Sequence, residues 1–576
     1  MQDKYKKGKD LDIGLLKYML KGFYDYSLTP VFDLNMNLTW NDISEIEKHL
    51  KSIYENFKSK NKNHSEPIRY FEKDVAKYRF KSIPSIYEYI SFFLFLKENK
   101  NKIFMPENAI ANLIGDKINN TKMQYYNKSI LFDYYGKYPL FTTGMRWNKS
   151  EHEEILENRR SYKERNEKEF KKQKNKNYTF TVDINDFYDS IYTHKIYNHE
   201  LIPKINFSND DQLTKFFDKK NEFKKLDIKI RQMNNRKTNG ILIGNGASVL
   251  FSEILLNQIS EIFIKKQLTF ERFADQFTFY FENEKEKNRA ISFIYLIFDN
   301  YNLRLKHKRF SSYSEIKSSE PEKKSKIKYL DEKELSNILK IMQNPLYKKK
   351  LQLILISVIN KIESKEIKIK DNDVKKIVET LLEFVAEIPK LSKYILLLIE
   401  KIIDLYSVDN INYDNTFLSL LKNYLIENRE TSALWLVYTY FYIYSKKNNQ
   451  IDEWIINEIY SILDNVHSSN EKINYINMIQ FYIMIKNSKN LSSDLLEKIS
   501  NKFDNIIMKI KVNNWETYLF SYSYISMNKD KLSLLNVNLK FKEHIKELLN
   551  KNFYLVNEKL DFKIDIYDKH DIDIYF

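Results

Sequence analysis

Along the 576-residue chain the apolar positions follow two different periods. In the first half, short β-prone runs at 178–182 and 277–281 lie among stretches of helical periodicity. Their aromatic and β-branched content predicts strands with at least one buried face. From about residue 331 to 550 the apolar residues instead recur at i, i+3, i+4 and i+7, which predicts helices over 374–388, 391–406, 454–463 and 495–510. Asp373, Ser392, Asp452 and Ser493 stand where N-caps belong, and Pro389 divides the first two of these helices. Between the two textures lies 311–330, SSYSEIKSSEPEKKSKIKYL, polar and charged as a solvated linker would be. Stacked helix pairs in an irregular, HEAT-like α-solenoid and an ordinary helical bundle both accommodate the second region. No strict repeat is visible, and the solenoid is preferred.

Composition narrows the chemistry. The chain has no cysteine, which removes disulfide scaffolds, thiolate zinc sites, iron–sulfur clusters and cysteine nucleophiles. The formal charge of +16 suits a polyanionic partner. Lysine, asparagine, isoleucine and tyrosine are heavily used while glycine and proline number 9 each, and AT-rich coding yields that balance whatever the protein does. Arginine is scarce, so an arginine inside a motif is more informative than a lysine. The segment 151–176 is dense in both charges and reads as a solvated helix or insertion, with a nucleic-acid arm as the alternative. The N-terminus is charged, and the most apolar window, 394–406, is broken by Glu400, Lys401 and Asp404. A soluble cytoplasmic protein with no membrane partner is therefore expected.

Three segments carry candidate chemistry. In 178–194 a β-prone run delivers Asp183 at a strand end, followed five residues later by Tyr188 at the start of a helix-like stretch. A carboxylate so placed can bind Mg²⁺, with the Ile184 carbonyl as a second oxygen ligand, and the aromatic ring can lie under a nucleotide sugar. An aspartate capping a helix is the plainer alternative. In 238–248 glycines at 240, 244 and 246 precede a helix whose N-terminus favours phosphate, or else form a turn with Ser248 as the cap. In 270–281 two aromatic runs flank Asp275-Gln276, the pattern of a hairpin whose turn presents a carboxylate. Two aspartates on separate strands could together hold two Mg²⁺ ions for nucleotidyl transfer.

In this order and spacing the segments resemble reverse transcriptases, most closely the abortive-infection (AbiK-like) class of bacterial phage-defence polymerases. Asp183 to Tyr188, with the continuation to His194, resembles motif A. GILIGNGAS at 240–248 resembles motif B, FADQ at 273–276 motif C, and NLRLKHKR at 302–309 the motif D segment. RFKSIPSIYEY at 79–89 is similar to the fingers segment that precedes the palm. The resemblance spans about 70–310. It implies an α+β fold: a fingers and palm domain at 1–310, its first 90 residues helical, a 311–330 linker, and an all-α helical-repeat domain at 331–576 in place of a thumb. Leu242 replaces the usual motif B proline, Val249 a common arginine, and Gln276 the second aspartate of motif C.

The resemblance further implies a Mg²⁺-dependent (or Mn²⁺-dependent) polymerase. Asp183, Ile184 and Asp275 would be metal ligands, and Gln276 a weakened catalytic position. Arg79, Lys81, Phe187, Tyr188, Gly244, Asn245, Lys308 and Arg309 would contact the nucleotide, with Tyr188 excluding a 2′-hydroxyl. Expected partners are dNTPs, a single-stranded DNA product attached to a tyrosine of the chain itself, a noncoding RNA or second polymerase subunit, and further copies of the chain. The alternative is an inactive palm serving as an assembly or sensing subunit in defence. No second histidine completes the H-E-x-x-H pattern at His152-Glu153, and there is no G-x-x-x-x-G-K-[ST] loop. Arg429 has no histidine at the spacing of an R-x₄₋₆-H ribonuclease, so a second nuclease is not expected.

Overall fold

The computed structural model describes residues 15–16, 18–25, 28–35, 37–60, 66–74, 77–103, 178–197, 220–266, 268–273, 275–312, 355, 358–359, 361–362, 364, 369–388, 391–406, 414–425, 431–447, 451–465, 475–489 and 491–560. The charged segment 151–176 and positions 313–330 of the expected linker lie outside them. Residues 311–312 end a strand.

A helical turn around 18–21 leads to α1 (Trp40–Lys60) and a hairpin of β1 (Ile68–Asp74) and β2 (Lys77–Ile83). Its register sets Tyr70 opposite Lys81 and Glu72 opposite Arg79. After α2 (Ile86–Ile103), the next described strand, β3 (Tyr178–Ile184), is the centre of a sheet. A short helix α3 (Phe187–Ser190), a 3-10 turn (Thr193–Ile196), α4 (Lys220–Met233) and α5 (Gly246–Lys265) then lead to β4 (Phe270–Phe273) and β5 (Gln276–Phe281). Finally α6 (Glu284–Asn300) returns the chain to β6 (Leu305–Ser312). The sheet order is β4-β5-β3-β6, antiparallel throughout.

Aromatic packing holds α5 and α6 against this sheet. The Phe263 ring lies 5.2–5.8 Å from Phe270, Phe277, Phe279 and Phe298, and 6.4 Å from Phe293. Such ring pairs add about 0.5–1.5 kcal/mol each beyond the area they bury.

Nine helices follow among the described residues: α7 (Asp371–Glu387), α8 (Ser392–Tyr406), α9 (Asp414–Leu425), α10 (Thr431–Lys447), α11 (Glu453–Asn465), α12 (Tyr475–Asn487), α13 (Ser493–Lys509), α14 (Trp515–Met527) and α15 (Leu539–Asn550). The helices expected from periodicity are there to within three residues at each end. Three cap expectations are corrected: Ser392 is already the first residue of α8, and its buried hydroxyl has no hydrogen-bond partner among the described residues. α13 is capped by Ser492, whose side chain accepts from Leu495 N–H, and Ser493 is already helical. α7 starts ahead of Asp373, with Lys370 as a cap lacking a side-chain bond.

These helices alternate in character. α11, α13 and α15 are amphipathic, as an outer layer should be, while α10, α12 and α14 are buried around nearly their whole circumference. The inner helices pack in a row, α10 on α12 and α12 on α14. Their second face is covered from the other end of the chain. Phe23 meets Trp515 at 6.1 Å, Tyr54 meets Tyr518 at 6.3 Å, and Thr29 donates to Gln480. The Tyr24 hydroxyl donates to the Leu555 carbonyl at 2.6 Å, Asn557 N–H to the Val31 carbonyl at 2.8 Å, and α10 lies against β1. The N-terminal helical residues thus bridge the β1–β2 hairpin and the C-terminal helices. Among the described residues no helix is long and apolar enough to cross a membrane.

One buried acid ties stability to pH. Burial, opposed by Lys229 and Arg236 and reinforced by Glu47, pushes the Glu88 carboxyl of α2 up from 4.5 to about 7. The folded state holds this proton more tightly than the unfolded chain does. Its stability is therefore fully present below about 4.5 and is lost as pH rises through about 7, a change on the order of 3 kcal/mol. Glu88→Gln should leave Tm near the wild-type value at pH 5 and raise it at pH 8, measured by thermal melts; equal shifts at both would contradict this.

Candidate active site

The candidate site forms where β3 ends. Phe180 and Val182 point into the core, and Asp183 is half-exposed near the end of the strand. Asp183 pairs in register with Gln276 on one side and Lys306 on the other. Directly opposed antiparallel residues place their side chains about 4.5–5.5 Å apart on one face. The β4–β5 turn closes between Phe273 and Gln276. Within it the Asp275 carbonyl accepts a hydrogen bond from Ile184 N–H at 3.3 Å. Two segments about ninety residues apart are thus held backbone to backbone, with both aspartates and Gln276 at the junction.

After β3 the chain turns through Asp186 in the left-handed region (φ 45°) and enters α3. Phe187 is buried, with its ring 5.3 Å from that of the half-buried Tyr188. Burial pushes this phenol well above its ordinary value; the Ser252 hydroxyl of α5 opposes the shift, and Glu253, Asp275 and Asp25 add to it. Tyr188 therefore stands as a neutral ring and donor, not as a nucleophile. The continuation is anchored by Asp227 of α4, fully buried, which faces His194 Nδ1 at 3.0 Å and accepts from Arg231 Nε at 3.1 Å.

The glycine loop is fastened on three sides. Gly240 N–H donates to Ile191 O at 2.9 Å, and Ile241 N–H to Tyr188 O at 3.0 Å. Ser82 N–H of β2 donates to Ile243 O at 2.9 Å, so the β1–β2 hairpin is hydrogen-bonded to this loop. Gly244 has φ +99°, and a side chain there would meet Lys81 Cβ at 3.3 Å and Asp25 Cβ at 3.4 Å. Gly246 N–H donates to Gly22 O at 2.6 Å, and a Cβ on Gly246 would lie 3.1 Å from Gly22 Cα. The helix cap is Asn245, whose Oδ1 accepts from Ser248 N–H at 3.0 Å, in place of the Ser248 cap that the plain turn reading expects. Asn245 Nδ2 is buried without a hydrogen-bond partner among the described residues, a donor that a ligand's acceptor could satisfy.

The basic residues divide. Lys81 is buried, and its ammonium lies 2.6 Å from Asp25 Oδ1 and 2.7 Å from Glu72 Oε2. Two carboxylates outweigh its charge, so in this arrangement it ties the hairpin to the N-terminal segment. Arg79, one register step beyond, is exposed. Lys308 and Arg309 stand further along β6, where Arg309 pairs with Thr181 across an irregularity in register; their side chains are outside the described set. Lys306, exposed and in register with Asp183, is the basic residue the sequence pattern missed. Only strand register could have singled it out from Lys308 and Arg309.

The donors gathered here are all oxygen: the Asp183 and Asp275 carboxylates, the Gln276 amide and the Ile184 carbonyl. They suit a hard divalent cation in kind, with one charge fewer than a third carboxylate would give. Among the described residues, no three His, Cys, Asp or Glu side chains cluster as a metal site.

Comparison with known proteins bears on the same region. Residues 113–331, under half of the chain, match the family model described as reverse transcriptase (RNA-dependent DNA polymerase). The match takes in β3, the glycine loop, the β4–β5 hairpin and β6, so the chain carries a reverse transcriptase domain of nucleotidyltransferase type. No curated protein matches the chain.

Gly244→Ala tests the loop. A side chain at φ +99° is strained and has to displace Lys81 or Asp25, costing about 1–3 kcal/mol. Thermal unfolding should show a lowered Tm, and an unchanged Tm would mean that the loop relaxes freely.

Proposed function

We propose that the chain is a DNA polymerase joining deoxynucleotides by two-metal nucleotidyl transfer at Asp183 and Asp275. The observation that supports this is the β3–β5 junction, where the backbone brings the Asp183 and Asp275 segments together. Bound Mg²⁺ or Mn²⁺ would supply Lewis-acid activation of the attacking hydroxyl and charge neutralisation on the leaving pyrophosphate. Asp183, Asp275 and the Ile184 carbonyl would hold the metal. The primer hydroxyl oxygen attacks the α-phosphorus, the bond to the β-phosphate breaks, pyrophosphate leaves, and the hydroxyl proton passes to solvent. The Tyr188 ring would exclude a 2′-hydroxyl, and Asn245 Nδ2 would donate to the nucleotide. Arg79 and Lys306, both exposed, would contact phosphate oxygens.

The resemblance to the abortive-infection class supports finer points: a role in bacterial anti-phage defence, a tyrosine of the chain as primer, synthesis without a template, and assembly of several copies. Gln276 favours a second reading, in which the palm has lost turnover and serves an assembly or sensing role. Its amide keeps an oxygen beside Asp183 but not the charge, so metal affinity falls.

Purified protein given labelled dNTPs with Mg²⁺ or Mn²⁺ separates the two. Incorporation that falls by about two orders of magnitude or more in Asp183→Asn and in Asp275→Asn is the expected result. Wild type that incorporates nothing with either metal removes the enzyme reading. Gln276→Asp should raise the rate if the missing charge limits it, and mass spectrometry of the intact chain should find covalent nucleotides if the primer is the protein.

A further inference from the structure

Away from the β3–β5 junction, the two ends of the chain meet along one helix pair. α1 and α15 run antiparallel: Glu45 pairs with Lys551, His49 faces His544, and the Phe57 ring lies 6.0 Å from Phe541. Nδ1 of His49 stands 3.1 Å from Nδ1 of His544, with ring centroids 5.4 Å apart, and both side chains are half-buried. At that separation one nitrogen donates and the other accepts, so one proton lies between them. The second ring nitrogen of His544, Nε2, is buried with no hydrogen-bond partner among the described residues. Orphaned N–H groups are rarer in protein interiors than acceptors left bare. The His544 proton is therefore assigned to Nδ1, with His49 Nδ1 as the acceptor. A further proton has no good place. On His49 Nδ1 it sets two N–H groups head to head, and on His544 Nε2 it is buried without an acceptor. Reversing the pair, so that His49 donates, also ends with a stranded proton on Nε2.

We propose that His49 and His544 form a proton-sensitive joint, which fastens α15 to α1 while both rings are neutral and loosens as pH falls through the imidazole range. The charges around the pair do not reverse this. On α15, burial and then His49 and Lys540 disfavour the charged form of His544, against Glu543 and Glu547, and the balance lies below its ordinary 6.5. On α1, Glu45 is taken by Lys551, Asp42 by Thr39, and exposed Lys48 adds positive charge beside His49. From α2, Lys97 covers Trp40, while Glu88 and Glu98 act on Tyr87 and Glu47, which also faces Lys51 and Lys229. α14 meets α15 through Tyr518 on Phe541; Lys542 reaches the Ser533 carbonyl of the turn Lys529–Leu534, whose Lys531 is held by Asp504. The unfolded chain therefore binds the His544 proton more tightly than the folded one. The joint's contribution is complete above about 6.5 and is lost as pH falls below it. Glu88 acts in the opposite sense, so the joint is read locally and not from the overall melting temperature.

Hydrogen–deuterium exchange of the full chain at pH 8 and pH 5, with EDTA present to strip adventitious metal, tests this without any assay of activity. Rates are normalised for the intrinsic effect of pH, so that protection factors are compared. In wild type, protection of α15 should fall about five-fold between the two, the scale of one neutral hydrogen bond, while β3 and β5 stay as they were. His544→Gln should abolish the fall, because an amide donates to a neutral His49 and accepts from a protonated one. Where that variant does not fold, His49→Gln serves: its amide oxygen accepts from His544 Nδ1 in both states, and the fall should shrink. Wild-type α15 with equal protection at both values overturns the joint, as does an undiminished fall in a folded glutamine variant. A loss spread evenly over α15, β3 and β5 is global unfolding and overturns it too.

Discussion

The register of β3 against β5 is the constraint on which the candidate site depends. Phe180 faces Phe279 and Val182 faces Phe277, and all four are buried. Side chains alternate with period two along a strand, so a slip of one residue would turn these groups outward and bring the intervening threonines in. Apolar burial at two successive pairs therefore fixes the polar pair that follows, Asp183 with Gln276. The hydrogen bond from Ile184 N–H to the Asp275 carbonyl extends the ladder one step further, into the turn. The aspartates are brought together not by their own interactions, which as like charges would be repulsive, but by the phenylalanines behind them.

A second layer of constraint acts through glycine. The close approach of Gly22 to Gly246, with a 2.6 Å backbone hydrogen bond, lets the N-terminal segment lie directly on the start of α5. From there Asp25 reaches Lys81, and Phe23 and Tyr24 reach the C-terminal helices. Glycine loop, β1–β2 hairpin and C-terminal helices thus share one short stretch of chain. The buried triad of Lys81, Asp25 and Glu72 carries an excess of one negative charge, and such a cluster is tolerable only where geometry is well fixed. Its cost in desolvation is set against the positional definition it gives the loop beside Gly244.

How much of this was legible beforehand varied by the kind of interaction. Local periodicity placed the C-terminal helices to within three residues, because amphipathic spacing is written in neighbouring residues. The two strands and the hairpin presenting Asp275 were visible for the same reason. Ser492 and Ser493 show the limit of such signals: either serine can cap, and only the backbone angle at the helix start decides. What could not be read is contact between distant segments. Nothing near Tyr54 or Phe23 announces Tyr518 or Trp515 as neighbours, and nothing near Lys81 announces Asp25. The uniformly buried α10, α12 and α14 did carry one unread clue. A helix apolar all round has partners on every side, and an array of helix pairs alone covers only part of it.

Gln276 can be weighed in the same terms. It stands at the first residue of β5 in register with Asp183, where an aspartate would set a second negative charge on the same face. With glutamine there, the site keeps an oxygen donor and loses that repulsion, so the empty site is easier to fold and binds a divalent cation less tightly. Lys306, across the other edge of β3 from Asp183, lowers the same repulsion from the opposite side. On the proposed reading, the balance at this junction would therefore move toward stability without metal and away from affinity for it. Such a site would depend on an incoming triphosphate to bring the remaining oxygen ligands. Nucleotide and cation would then bind with positive coupling, each completing the other's coordination, and the weaker protein contribution becomes a requirement for substrate and not a defect.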